Sequence, residues 1–242
     1  MIFTPIASSS HGNAYLVQDG TSRLLLECGI PFRHLQAALD YKAQELDGCL
    51  ITHEHKDHAG HVAQLVKRGV PVYASPGTAA ALGLDGITPL LMLHGNTLGA
   101  PLRLGSFVVV PFRTFHDSAE PVGFLIQDST GDILAFATDT VNLAYRFPGV
   151  HVFALEANYE EEILARNTRM PDSVVKRVRN SHMEISRLCQ FLSKQDLSAC
   201  RQVWLLHLSD ASSNEGRFVD LVERVVGNGI QVRAAPGRCS NV

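Results

Sequence analysis

Apolar runs and turn punctuation divide the chain into short strands interleaved with amphipathic helices. Residues 14–18, 23–27 and 48–52 are strand-like, and between them 32–41 carries Leu35, Ala38 and Leu39 at helical spacing. Residues 60–68 place Val62, Leu65 and Val66 on one helix face, and Gly69 ends the run. A short strand at 70–73 precedes an Ala-rich helix at 76–82, opened by Ser75 and Pro76. The middle is β-rich, with strands at 105–111, 122–128 and 133–138, and Asp128-Ser-Thr-Gly-Asp132 reads as a hairpin loop between the last two. After a strand at 150–156, helices at 159–166, 171–180, 182–194 and 216–226 interleave with strands at 202–206 and 231–234. Each half reads as strands followed by helices. The expectation is an α/β protein, an αββα four-layer sandwich of two packed sheets with helices outside, forming one domain over 1–242. An open Rossmann sheet lacks support, because no GxGxxG follows the first strand.

Composition agrees. A length of 242 residues suits one domain and leaves room for two at most, and 45% hydrophobic with 19% charged residues describes a globular chain with a sizeable core. No apolar run reaches membrane-span length, and the first residues have neither a basic nor an apolar signal region, so a cytoplasmic location is expected. Cys28, Cys49, Cys189, Cys200 and Cys239 are odd in number and form no CxxC, so they are expected to be reduced and mostly interior. A net charge of −3 excludes a broadly basic surface but not a local basic patch.

The chemistry is concentrated in His53-Glu-His-Lys-Asp-His58, directly after the 48–52 strand. His53 and His55 are two apart, so in an extended stretch they point the same way. Asp57 and His58 come as the chain turns into a helix. A structural histidine explains any one of these residues; it does not explain three imidazoles and a carboxylate at the end of a buried strand. Neutral imidazole and carboxylate are ligands for zinc, manganese and iron. His61, a turn further on, reads as a helix-surface residue or one that supports the ligands from behind, not as a ligand. His116, Asp139 and His207 also follow apolar strands, and the seven together form an inventory for two adjacent metals.

The strings THEHKDH, TFHD, ATDT and LLHLSD, in that order, resemble the metallo-β-lactamase-fold hydrolases. The opening SSSHGNAYLV is similar to the SGSxGNAxLV start of the YycJ/WalJ-like subgroup of DNA exonucleases, and Glu156-Ala-Asn-Tyr159 to its E-[SA]-N-[HY]. Glu27 departs from the subgroup, which has Asp there. His182, in SHMEIS, stands where the subgroup and the related RNase Z proteins have GHLSN or GHST, without the flanking Gly and Asn. The resemblance implies that His53, His55 and His116 hold one metal, that Asp57, His58 and His207 hold a second, and that Asp139 bridges them. It also implies that Asp57 orients the metal-bound water or hydroxide.

The expected function is therefore a hydrolase dependent on two divalent ions, Zn or Mn with Fe as a further option. The leading reading is a phosphodiesterase or exonuclease acting on DNA or RNA, with single-stranded or end-directed substrates. Residues 166–187 support it: Arg166, Arg169, Lys176, Arg177, Arg179 and Arg187 against Asp172 and Glu184 leave a net +4 that suits a phosphate backbone. A solvated helix face is the plain alternative for that segment. Arg179, Glu156 and Asn158 are expected substrate contacts, and His182, placed at a helix start, is expected to assist the leaving group. A small-molecule hydrolase (thioester, lactone or cyclic nucleotide) and a non-catalytic member of the fold remain alternatives, because one fold hosts many chemistries.

Overall fold

The computed structural model describes residues 1–92 and 98–237. Its contacts sort these residues into two compact units. The first is Met1–Arg113 and Ser118–Asp132 with the residues from Pro236; the second is Thr114–Asp117 and Ile133–Ala235.

The first unit contains β1 (Ile2–Ser9), β2 (Gly12–Gln18), β3 (Arg23–Leu26), α1 (Phe32–Ala38), β4 (Gly48–Leu50), α2 (Lys56–Ala59), α3 (Val62–Val66), β5 (Val72–Ala74), α4 (Pro76–Leu82) and β6 (Ile87–Pro89), followed by β7 (Leu102–Leu104), β8 (Phe107–Arg113) and β9 (Val122–Gln127). Strands β1 to β6 form a sheet in sequence order. It is antiparallel from β1 to β3 and parallel from β3 to β6. The central parallel strand β4 is buried throughout, which is why its sequence does not alternate, whereas the edge strand β6 is mostly exposed. Leu25, Cys49, Ile51 and Val72 pack with Leu35 and Leu39 near α1 and with Val62 and Leu65 of α3 in one apolar cluster. Strands β7, β8 and β9 pair antiparallel in register.

The second unit contains β10 (Ile133–Ala137), β11 (Val152–Glu156), α5 (Glu161–Arg166), α6 (Asp172–Ser181), α7 (Ile185–Leu192), β12 (Gln202–Leu206), α8 (Glu215–Val226) and β13 (Gln231–Ala234). Its four strands run parallel. Phe153, Leu155, Val203 and Leu205 are inaccessible, as are Leu188 of α7 and Phe218 of α8.

Several expectations need correction. Strand β1 was not foreseen: Pro5 and a register shift between Pro5 and Ala7 break its alternation, and a proline is tolerated because β1 is an edge strand. Strands β6 and β7 are too short to show a period. The helix expected at 60–68 is α3, confined to Val62–Val66, and Gly60 and His61 separate it from the short α2 before it. His61, half-buried at φ −119°, sits at the start of α3 and donates its backbone N–H to the Cys28 carbonyl. His182 is extended and ends α6; α7 begins three residues later, capped by Glu184. Cys28, Cys49 and Cys200 are buried free thiols, Cys189 is a half-buried one, and Cys239 lies outside the described residues. Among the described residues no helix is long and apolar enough to cross a membrane.

Gly29 fixes how β3 hands over to the loop bearing Asp57. A Cβ there would lie 1.7 Å from the Asp57 carbonyl oxygen and 2.8 Å from the His58 nitrogen, both backbone atoms that cannot step aside cheaply. Gly29→Ala is therefore expected to destabilise the protein by about 3 kcal/mol or more, the upper range of overpacking costs. Thermal unfolding checks this; an unchanged melting temperature would show that the loop yields.

Candidate metal centre

In the first unit the site begins where β3 and β4 end. The chain turns sharply after β3 through Glu27, which has a left-handed φ of 65°. Glu27 is fully buried, and both its carboxylate oxygens accept from the Thr52 N–H, at 3.3 and 3.4 Å. The acid thus anchors the strand end from which His53 emerges. Burial pushes the Glu27 carboxyl above its ordinary range, against the opposing pull of His58 and Thr52.

His53 Nδ1 lies 2.8 Å from the Thr52 hydroxyl, and its Nε2 lies 3.1 Å from His55 Nδ1. The two side chains do share a direction. The His53 and His58 rings are 4.1 Å apart. The Asn13 amide nitrogen is 3.2 Å from His58 Nε2 and also donates to the Asp57 carbonyl. An amide nitrogen can only donate, so His58 Nε2 carries the lone pair. Its Nδ1–H faces Glu27 Oε2 at 3.7 Å, and Nε2 stands 3.4 Å from Asp57 Oδ2. Two donors on one tetrahedral ion, with bonds of about 2.0–2.1 Å, stand roughly 3.3 Å apart. The His53–His55 and Asp57–His58 spacings match this. The support given by Asn13, Thr52 and Glu27 was not assigned from sequence. Only the GNA and LEC strings hinted at it, and their residue types carry no metal signature.

In the second unit the donors again follow parallel strands: Asp139 after β10, Glu156 at the end of β11 and His207 after β12. Asp139 (φ 45°) and His207 (φ 53°) are both left-handed and 3% exposed. The His116 Nδ1–H donates to the Ser181 carbonyl at 2.7 Å, because a carbonyl can only accept. Its Nε2 therefore carries the lone pair, and lies 3.2 Å from Asp117 Oδ1 and 3.6 Å from Asp139 Oδ2. Burial holds His116 below the ordinary imidazole range, so it stays neutral, as a ligand must. His207 Nδ1 is 3.5 Å from Asp139 Oδ1, and the Asn158 amide bonds both that ring nitrogen and the His207 carbonyl. One donor atom each from Asp139, Glu156, His182 and His207 lies within 4.8 Å of the others.

Glu156 is the hub of this group. It is wholly buried, and its oxygens accept from the Thr140 N–H (2.7 Å), the Met183 N–H (3.0 Å) and His182 Nδ1 (2.6 Å). Burial alone would raise its pKa, but His182 and His207 outweigh that and lower it. For His182, burial would lower the value, and Glu156 outweighs it and raises the imidazole above its ordinary range. The expectation that Glu156 contacts substrate is corrected: its oxygens are taken up by groups of the chain itself. Asn158, expected in the same role, braces His207. The Arg179 guanidinium clamps the Glu161 carboxylate through Nε and a terminal nitrogen. Arg177 is bonded to Asp117.

The strand-end placement, the donor spacings and the imidazole–carboxylate chemistry within each unit fit divalent ions. The chain belongs to the Beta-lactamase superfamily domain family, which matches residues 22–208. It is a metal-dependent hydrolase of the metallo-β-lactamase fold, and that family implies bound divalent metal. Among particular relatives, it is 28% identical over 218 residues to the exodeoxyribonuclease YycJ of Bacillus anthracis, covering 86% of this chain and 82% of that protein. The metallo-β-lactamase fold protein YhfI of Bacillus subtilis superposes with a TM-score of 0.72 at 16% identity, over 98% of this chain and 97% of that one. Human tRNase Z, short form, superposes with a TM-score of 0.65 at 14% identity, over 99% and 98%. Both the YycJ/WalJ resemblance and the more distant likeness to RNase Z are met.

Asp139→Ala is expected to lower bound divalent metal by at least half at saturating supply, measured by elemental analysis of the purified protein. Undiminished metal would remove Asp139 from the ligand set.

Proposed function

We propose that the protein is a phosphodiesterase of the exonuclease type, acting on DNA or RNA with two divalent ions, zinc or manganese, with iron as a further option. The observation that carries this reading is the similarity to the YycJ exodeoxyribonuclease over most of both chains. The donor sets of the two units support it. In this proposal His53, His55 and His116 hold one ion, Asp57, His58 and His207 the other, and Asp139 both. The substrate is a single strand or a strand end, and the protein works in the cytoplasm. Bound there, the two ions would activate a water and stabilise charge on the attacked phosphorus.

The chain's own groups perform the rest. Asp57, its carboxylate one-quarter exposed, accepts a hydrogen bond from the attacking water and aligns it. The His182 Nδ1–H is committed to Glu156, so its Nε2 is the nitrogen that serves substrate. The His182 ring stacks on His207 at 5.4 Å with planes 23° apart, which sets the direction in which Nε2 points. With Nδ1 held by Glu156, the imidazole donates a proton from Nε2 to the departing oxygen. Asn158 holds the His207 ring through its amide.

Release of nucleotides from end-labelled single-stranded DNA tests the reading, run beside a panel of thioesters and lactones. Turnover of the panel alone would replace it with a small-molecule hydrolase. Asp57→Asn is expected to lower turnover by roughly 10²-fold or more, the scale of general-base contributions, with the fold intact by circular dichroism. Near-normal turnover would remove Asp57 from the mechanism. His182→Ala is expected to cost turnover by a similar ~10²-fold on a phosphodiester with a poor leaving group. An activated aryl phosphodiester, whose departing oxygen needs no proton, should lose little. Equal losses on the two substrates, with metal content unchanged, would leave His182 a packing residue.

A further inference from the structure

The arginines of the second unit divide by partner. Arg179 is clamped by Glu161, Arg177 by Asp117, and Arg217 by Glu160. These charges are neutralised in place. Among the described residues Arg166 meets the carboxylate of Glu162, at 3.9 Å, with the two side chains 83% and 72% exposed. A pair so long and so exposed gives way readily to a better anion. No carboxylate is paired with Arg169 among the described residues. Both Arg166 and Arg169 line a cleft of about 620 Å³ whose wall contains no acidic residue.

The cleft is built rather than incidental. Its one side is the 166–171 loop joining α5 to α6, and its other side includes Ala211 of the loop after β12. Asn167 ties the two loops: its amide donates to the Ala211 carbonyl at 3.2 Å, and its side-chain oxygen accepts from the Arg169 N–H. The 207–213 loop is itself held at the end of β11, with the Ser209 N–H on the Asn158 carbonyl and the Glu160 N–H on the Ser212 carbonyl. Ala211 is four residues beyond His207, a path of at most about 14 Å. One wall of the cleft therefore stands near the carboxyl-terminal ends of β11 and β12, which carry Glu156, Asn158 and His207.

We propose that this cleft binds the phosphate backbone of a nucleic-acid strand, with Arg169 and Arg166 as the phosphate contacts and Thr168 as a neutral donor beside them. The proposal rests on the nuclease reading and deepens it, because it states which cations meet the strand outside the reacting phosphate. It moves that role from Arg179 to Arg169. An arginine fork with no internal carboxylate to satisfy is free to chelate phosphate oxygens in a bidentate manner.

The test uses the metal-loaded protein and a fluorescein-labelled single-stranded dodecathymidylate with phosphorothioate linkages, which resist cleavage. Anisotropy titrations across a salt series give affinity and its salt dependence. Arg169→Gln is expected to bind about 3- to 10-fold more weakly at low salt, and to lose about 0.7 from the slope of log affinity against log salt, the increment of one single-strand phosphate contact. The Arg166→Gln/Arg169→Gln double variant should lose about twice that slope. Lys67→Gln, the same charge change in the first unit, should leave the slope unaltered. Hydrolysis of bis(p-nitrophenyl) phosphate should be unchanged in all three variants, because neither arginine belongs to the catalytic set. If the arginine variants match wild type and Lys67→Gln in both affinity and slope, the cleft is not a phosphate site, and the nuclease reading stands without it. If wild-type protein binds no oligonucleotide, the nucleic-acid reading itself fails and the cleft proposal with it.

Discussion

A carboxylate with no access to water governs the second unit's site. Burying an ion costs several kcal/mol, and the cost is tolerable only where donors surround the charge. Glu156 meets that demand with the Thr140 N–H, the Met183 N–H and the His182 ring, and the His207 ring stands against it at 3.4 Å. Those groups come from the turn after β10, the segment after α6 and the turn after β12. One buried acid therefore fixes three chain segments that are far apart in sequence, and each of them carries or adjoins a donor atom. Asp139 precedes Thr140, His182 precedes Met183, and His207 is itself a donor. The geometry is a consequence of satisfying Glu156, and so is precise without a rigid helix or strand beneath every side chain.

The first unit solves the same problem with Glu27. It too lies at the end of a parallel strand, is wholly buried, and takes a backbone N–H from the neighbouring strand end, at Thr52. It faces His58 Nδ1, as Glu156 faces His182 Nδ1. In both units an acid that is not a proposed ligand of the metals sets the tautomer of an imidazole by facing its protonated nitrogen, leaving the other nitrogen for chemistry. The longer Glu side chain at position 27, where the resembling subgroup has Asp, still reaches Thr52 and His58. Its identity changes reach without changing role.

How far this was readable from sequence depends on the length of the signal each feature needs. The parallel strands announced themselves as continuous apolar runs, and HEHKDH stood out because the end of a buried strand has no structural use for three imidazoles. The ordered strings around His116, Asp139 and His207 marked the rest of the proposed donor set. What escaped were features whose cause is not local. Strand β1 is defined by its pairing with β2, against a bulge and a proline. The position of His182 depends on α6 running one residue past Asn180 and on Glu184 capping α7, so the expected helix start became a helix end. Arg179 looked available because the counted acids were only those inside its own segment; its partner, Glu161, lies on the preceding helix. Charge counted along the chain gives the net of a segment. Which cations remain unsatisfied is a property of pairing in space.

The same distinction explains why the donors sit where the backbone is least comfortable. Asp139 and His207, and the supporting acid Glu27, are left-handed non-glycine residues within two positions of the ends of β10, β12 and β3. Such a conformation costs roughly 1–2 kcal/mol per residue for an L side chain. A glycine would remove that cost and with it the functional group. The strain is held by what flanks it: strand ends that are entirely inaccessible, with Leu26, Ala137 and Leu206 at 0% exposure, and backbone bonds such as Glu27 N–H to the Leu50 carbonyl and Ala157 N–H to the Leu206 carbonyl. A left-handed residue reverses the chain direction at once, so the side chain projects from the carboxyl edge of the sheet and does not continue into a face. Buried apolar strands thus supply the stability, and a single strained residue at each end converts it into a fixed direction for a carboxylate or an imidazole.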